Sequence, residues 1–427
     1  MDNNNTRNNA ANTAPRTTMR EVCFGRANIK VLMIGARRVG KSSIVATMLS
    51  DRCRDIAVRN TDLLLELREE GQEEKVARIR RTERMMINYF DPNVEIPKNE
   101  NDTETDTTSS IGRDAYTTFK LDAGASREEV DINLTLKTKT RNGVYQVQFI
   151  DIPGEWINNY NAGIPDGDRQ QLQNLVAAAD VIMVTIDSVL LVEDAGSNAL
   201  TGNRVENVTK IIQENYNRQC DNPKKLIMFV PVKCEKYYNK HMELVNYPDK
   251  FYDTEDPMPV LMTQVKRVYA PLIRWCADET NGNALNLDVA ILPVMTLGNI
   301  QYSHIDVSKT KATYDNSDVY YTYYKQFTGT YDDDFTVPEY APAYCEQPLI
   351  MILLYQLEKI RRLKQNRNVW TSLLTRFLGI FGGLASDDAL LDNIPFLRRN
   401  LAVNQKGYLS EFLQSPITNA DTRIVQE

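Results

Sequence analysis

The sequence predicts an α/β fold, a three-layer sandwich of a mostly parallel sheet between helices, with antiparallel edge strands, a helical insert and a C-terminal helical tail. Three observations predict it. Short apolar, β-branched runs alternate with stretches whose apolar residues recur at helical spacing, the pattern of strand–helix–strand units. The first such run ends in a glycine-spaced loop that opens directly into a helical pattern. Two later runs end in short polar motifs instead of ordinary turns.

The elements follow in order. Residues 1–22, with five Asn among the first nine, read as a disordered tail. Residues 23–366 read as the main domain and 367–427 as a C-terminal helical extension. Buried parallel strands are expected at 30–34 (KVLMI), 145–150 (YQVQFI), 180–186 (DVIMVTI), 225–232 (KLIMFVPV) and 288–295 (DVAILPVM). The alternating stretches 116–121 and 130–138 read as antiparallel edge strands, with Arg141-Asn142-Gly143 as the hairpin turn before 145–150. Helical spacing covers 166–179, 203–218, 258–278 and the strongly apolar 347–363.

Between the first loop and the second motif, an insert at about 59–92 reads as helix over 61–90, interrupted at Gly71. Its Lys75, Arg78, Arg80, Arg81 and Arg84 form either a solvated face or a surface for a partner or phosphate. Residues 97–110 are polar and acidic and read as a mobile loop. The tyrosines of 314–344 keep acidic company, which argues against nucleic acid and for an edge hairpin or a protein-binding surface. Residues 369–385 are apolar on most of their surface, so they dock on the fold or attach to a membrane surface or a partner.

Composition sets bounds on function. An apolar content of 42% and a charged content of 25% are those of a globular protein with a real core. The net charge of −7 argues against general nucleic-acid binding. Six cysteines stand singly with no CxxC, which suits a reducing compartment and no zinc site. Two histidines, His241 and His304, leave little scope for histidine catalysis. The Asn-rich start lacks a secretory apolar region, and no apolar run reaches the roughly 18 residues of a membrane span. A cytoplasmic location is the expectation.

The glycine-spaced loop reads Gly35-x-x-x-x-Gly40-Lys41-Ser42, the phosphate-binding P-loop pattern, in its proper strand–loop–helix setting. Phosphate chemistry needs this arrangement. Backbone N–H groups along Gly35, Arg37, Arg38, Val39 and Gly40, and at the helix start through Ser43, face phosphate oxygens, and the helix dipole adds to the attraction. Lys41 reaches the β- and γ-phosphates, and the Ser42 hydroxyl ligates Mg²⁺. Asp151-x-x-Gly154 ends a strand downstream, where an aspartate holds Mg²⁺ and a glycine lets a backbone N–H approach the γ-phosphate.

The third motif follows 225–232 as Lys233-Cys234-Glu235. An acidic side chain accepts both N1–H and the exocyclic amine of guanine, a donor pair that adenine lacks. Lys233 lays its stem along the base. Val232 replaces the usual tethering polar residue and Glu235 is a methylene longer than aspartate, so adenine stays open as the alternative. Thr296-Leu297-Gly298 then follows 288–295 as the loop whose N–H groups meet the base.

These motifs resemble the translation-factor-related (TRAFAC) class of P-loop GTPases. The forms D-I-P-G-E-W, V-K-C-E and P-V-x-T-L-G are most similar to the bacterial double-GTPase family of conflict and defence systems. The resemblance implies a P-loop NTPase that binds GTP/GDP and Mg²⁺, hydrolyses GTP slowly, and regulates assembly with a protein partner, either itself or a second GTPase. It places Glu155 where related enzymes carry a water-orienting glutamine, and Arg38 where guanylate-binding proteins carry an internal arginine finger. Thr107 and Thr108 are the candidates for the first-switch threonine. Two alternatives stand beside this reading: a pseudo-GTPase scaffold and a P-loop ATPase.

Overall fold

A computed structural model describes residues 29–37, 39–61, 63–90, 116–118, 130–138, 141–192, 202–216, 225–238, 258–277, 287–298, 300–307, 319–325, 339–355 and 357. The first strand, β1 (Ile29–Ile34), is followed by α1 (Lys41–Met48), α2 (Asp51–Ala57), β2 (Leu63–Leu67) and α3 (Glu73–Phe90). Next come β3 (Tyr116–Thr118), β4 (Val130–Thr138), β5 (Arg141–Asp151), α4 (Gly154–Asn158), α5 (Asp166–Ala178), β6 (Val181–Asp187), α6 (Ser188–Val192) and α7 (Val205–Asn215). The chain continues through β7 (Lys225–Val232), α8 (Glu235–Tyr238), α9 (Met258–Val268), α10 (Ala270–Ala277), β8 (Leu287–Ile291), β9 (Ile300–Val307) and β10 (Val319–Lys325). A last helix, α11, covers 346–355.

Seven strands form one sheet in the order β2-β4-β5-β1-β6-β7-β8. β5, β1, β6, β7 and β8 are parallel, while β4 runs against both of its neighbours. Alternation along β1 sends Val31 and Met33 into one core and Leu32 and Ile34 into the other. The first core is closed by α1, α3 and α11 through Ile44, Met48, Ile79, Met86, Leu349 and Leu353. The second is closed by α5, α7, α9 and α10 through Leu172, Val208, Ile211, Leu261 and Leu272. Each such side chain, fully buried, stabilises the fold by about 1.5–3 kcal/mol.

The structure corrects several expectations. The insert is not helical from 61: Leu63–Leu67 is the sheet's edge strand, and α3 starts only at Glu73, after a turn at Gly71 with φ 78°. Leu63 and Leu65 face the core while Leu64 is exposed, a period of two that five residues are too few to reveal. The stretch 130–138 is not an edge but lies between β2 and β5. β3 joins a separate antiparallel sheet, β3-β10-β9, in which tyrosine-rich β10 pairs with β9 as a hairpin partner.

Arg141-Asn142-Gly143 belongs to β5, not to a turn; Thr138 pairs with Arg141 and Lys137 with Val144, a register shift that absorbs Asn142 and Gly143 as an irregularity. The helical stretch from 258 breaks into two at Tyr269, because Pro271 lacks an N–H and its ring crowds the preceding turn. Among the described residues no helix is long and apolar enough to cross a membrane. Residues 1–22, the loop 97–110 and the segment 369–385 lie outside the described residues.

Candidate functional site

The parallel strands all end at the same edge of the sheet, and the loops leaving β1, β5, β6, β7 and β8 meet there. Open α/β sheets bind ligands at such an edge. The loop after β1 is pressed against the neighbouring strand: a Cβ on Gly35 would lie 2.9 Å from the Thr185 carbonyl oxygen. Gly40 closes the loop at φ 109°, in the left-handed region that glycine adopts at least cost. α1 begins at the next residue, with no side-chain cap and no acid in its first turn. Its backbone donors and dipole therefore open toward the loop.

Lys41 is only 7% exposed, and its Nζ donates to the carbonyls of Gly35 (2.7 Å) and Ala36 (3.1 Å). Burial pushes its pKa down, and the carboxylates of Asp151 and Glu155 pull it back up. Ser42 and Ser43 stand half-buried in the first turn of α1. Asp151 ends β5, the strand next to β1, and is 6% exposed. Its Oδ1 has no hydrogen-bond partner among the described residues. Desolvation raises its pKa, against the pull of Lys41 and then Arg78.

The segment after Asp151 grips the first loop. A Cβ on Gly154 would lie 2.6 Å from both N and Cα of Arg37, so only glycine permits this approach. The Arg37 backbone N–H donates to Asn158 Oδ1 at 3.2 Å, and its guanidinium lies 3.7 Å from the Glu155 carboxylate. Arg37 therefore supplies Glu155 with a paired counter-charge, beside the more distant Lys41. Arg38 lies outside the described residues, as do Thr107 and Thr108.

Beyond β6 and β7 the Lys233-Cys234-Glu235 motif is tightly built. Val232 packs against the first loop, 3.2 Å from where a Cβ on Gly40 would stand, so an apolar contact joins the two loops in place of the usual polar tether. Lys233, at φ 60°, pairs its ammonium with buried Asp187, whose other oxygen accepts from the Leu190 N–H at 3.1 Å. Asn203 brackets the Asp187 backbone from both sides.

Glu235 is 0% exposed. Its Oε1 accepts from the N–H groups of Leu297 (2.8 Å) and Gly298 (3.4 Å), while Oε2 has no partner among the described residues. Burial raises its pKa in spite of these bonds. Thr296 and Leu297 are buried in the same loop, which extends the β8 pairing through Leu292 N–H to Phe229 O and Val294 N–H to Pro231 O.

The structure thus brings Gly35, Arg37, Val39, Gly40, Lys41, Ser42, Ser43, Asp151, Gly154 and Glu155 to one end of the edge. Lys233, Glu235, Thr296 and Leu297 lie at the other. Sequence reasoning missed Asn158, Asp187 and Asn203. Asp187 carried a faint signal, an acid as the last residue of an all-buried strand; the two asparagines carried none.

No family model matches this chain, and no curated protein does. Among solved structures, two of the S. cerevisiae Ski7 GTPase-like domain are similar. The one bound to GTP has 14% identity and a TM-score of 0.30 and covers 68% of this chain and 48% of its own. The one bound to GDP and inorganic phosphate has 10% identity and a TM-score of 0.30, covering 74% of each. The chain thus spans about half the length of the first. Likeness at this level carries no argument about the site, whose reading rests on its own residues.

Proposed function

We propose that this chain binds GTP with Mg²⁺ at the C-terminal edge of its sheet and hydrolyses it to GDP. The observation that carries the reading is the placing of Lys41, at the start of α1, within electrostatic reach of Asp151, at the end of β5. A buried ammonium is held across a loop of backbone donors, beside a buried carboxylate with an unpartnered oxygen. Such groups cost stability unless a ligand uses them. Asp151 Oδ1 and the Ser42 hydroxyl are hard oxygen donors of the kind Mg²⁺ takes, so the residues fit that ion. When bound, it neutralises charge on the β- and γ-phosphate oxygens.

The chain's own residues supply the rest. Lys41 and the N–H groups of the loop and of α1 stabilise charge on the phosphates. Glu155 would repel a triphosphate if bare, and Arg37 removes that objection. With Arg37 bridging Glu155 and the γ-phosphate, Glu155 orients water, with Arg38 as a second cation in cis or after self-association. Glu235 reads guanine through Oε2, which has no partner among the described residues, while its Oε1 is held by the N–H groups of the 295–298 loop, and Lys233 covers the face of the base. The family resemblance extends the proposal to a switch that regulates assembly in a conflict-type system, with a second GTPase or another copy as partner.

A second reading is favoured by the same Arg37–Glu155 pair: with the water-orienting position held in an ion pair, the chain would be a nucleotide-dependent scaffold with negligible turnover. Titration with GTP, GDP and ATP, with phosphate release from the wild type and Lys41→Ala, separates the readings. The expectation is tighter binding of GTP and GDP than of ATP, and release that falls about 100-fold or more in Lys41→Ala. GTP binding without Lys41-dependent release favours the scaffold, and a preference for ATP overturns the base assignment.

A further inference from the structure

The segment 339–345 forms a strap along the loop that follows β8. Met295 and Ala343 exchange backbone hydrogen bonds at 3.0 Å, Ala341 N–H donates to Leu297 O at 3.1 Å, and Gly298 bridges to Tyr340. Contact is so close that a Cβ on Gly298 would lie 2.1 Å from the Ala341 oxygen, and Gly298 itself sits at φ 88°. The loop is therefore held on one side by the strap and on the other by Glu235 Oε1.

Tyr340 carries this contact across the molecule. Its hydroxyl lies 3.1 Å from Thr47 Oγ1, on the helix that starts at Lys41. Thr47 spends its own proton on the Ser43 carbonyl at 2.9 Å, so the tyrosine is the donor. Burial raises the Tyr340 pKa and keeps that donor protonated. Its ring also meets Phe90 at the end of α3, with centroids 6.2 Å apart.

We infer that Tyr340 is a positioning residue for base recognition: through Thr47 it fixes the 295–298 loop relative to the phosphate-binding helix, and so sets the span between the two ends of the nucleotide site. The inference rests on the guanine-nucleotide reading above. A nucleotide that contacts both ends needs that span to match its own length, whereas phosphate contacts alone do not.

Tyr340→Phe keeps the ring, its burial and its Phe90 contact and removes only the donor. Thr47→Val removes the acceptor at constant shape. Affinities for GDP and ADP, with melting temperatures, would be measured for the wild type, both variants and the double variant. The expected result is GDP affinity lower on the order of fivefold in each single variant, ADP affinity changed less than about twofold, and no further loss in the double variant. Unchanged GDP affinity, or equal weakening of GDP and ADP in step with a lower melting temperature, overturns the inference. A wild type that does not prefer GDP to ADP overturns the guanine reading itself, and this inference with it.

Discussion

At the scale of single residues, the site is a set of polar groups held at a cost. Asp151 is the clearest. Its pKa is raised even after the attraction of Lys41 is counted, so ionised Asp151 opposes folding in the unliganded protein. The folded state then binds a proton more tightly than the unfolded chain does, and this contribution to stability is lost as pH rises from about 4 through the folded value. Glu235 acts with the same sign. Asp151→Asn is therefore expected to stabilise the unliganded protein at pH 7, on the order of 1 kcal/mol, and to flatten the fall in stability above about pH 4. It should also abolish Mg²⁺-dependent GTP binding. Urea denaturation across pH, without ligand, checks this; a less stable variant at pH 7 would contradict it. Lys41 and Asp151 were legible from spacing alone, because a strand followed by a fixed motif places them at one sheet edge. Asn158, Asp187 and Tyr340 were not, since partners such as Arg37 and Asn158 stand 121 positions apart in sequence.

At the scale of elements, the edge of the sheet shows how a short strand is kept. Among the described residues β2 has only β4 beside it, and an open edge invites pairing with another chain. Arg54 on α2 blocks it: Nη1 donates to Leu65 O at 2.7 Å, Nε to Leu49 O at 3.0 Å, and Nη2 reaches Asp51. Arg54→Ala leaves two carbonyls without that donor and is expected to destabilise the fold by about 1–3 kcal/mol. Arg54→Lys should recover little of it, because a single ammonium does not span the fork. Chemical denaturation measures the loss, and light scattering should show more self-association in Arg54→Ala. Unchanged stability and scattering would mean that the edge is protected by something else. The same arginine explains why the insert looked helical in sequence: β2 exists through its pairing with β4 and this side-chain cover, not through any propensity of Leu-Leu-Leu-Glu-Leu. Longer elements were legible because periodicity over 11–13 residues survives context, as in α5 and α7. The break at Tyr269 could have been read from Pro271.

At the scale of the molecule, the parallel order β5-β1-β6-β7-β8 was legible only as a class, since strand neighbours are set by long-range pairing that no local pattern encodes. What that order creates is a site with no single owner. In the proposed reading the loops after β1 and β5 hold the phosphate end and those after β7 and β8 the other, and Val232 against Gly40 and Tyr340 against Thr47 join them. A ligand spanning both ends therefore ties together strands on both sides of β6, and its binding energy adds to the stability of the whole sheet. At about 100 times its dissociation constant, GTP with Mg²⁺ should stabilise the fold by about 2.7 kcal/mol, which at roughly 2–4 °C per kcal/mol raises the melting temperature by about 5–10 °C. Inorganic triphosphate with Mg²⁺ occupies the phosphate end alone and should raise it less at the same concentration. Lys41→Ala should abolish both shifts, each read against the variant's own ligand-free melting temperature. Equal shifts from GTP and triphosphate would mean that Glu235 and the 295–298 loop add nothing to binding, and that the two ends of the sheet edge do not work as one site.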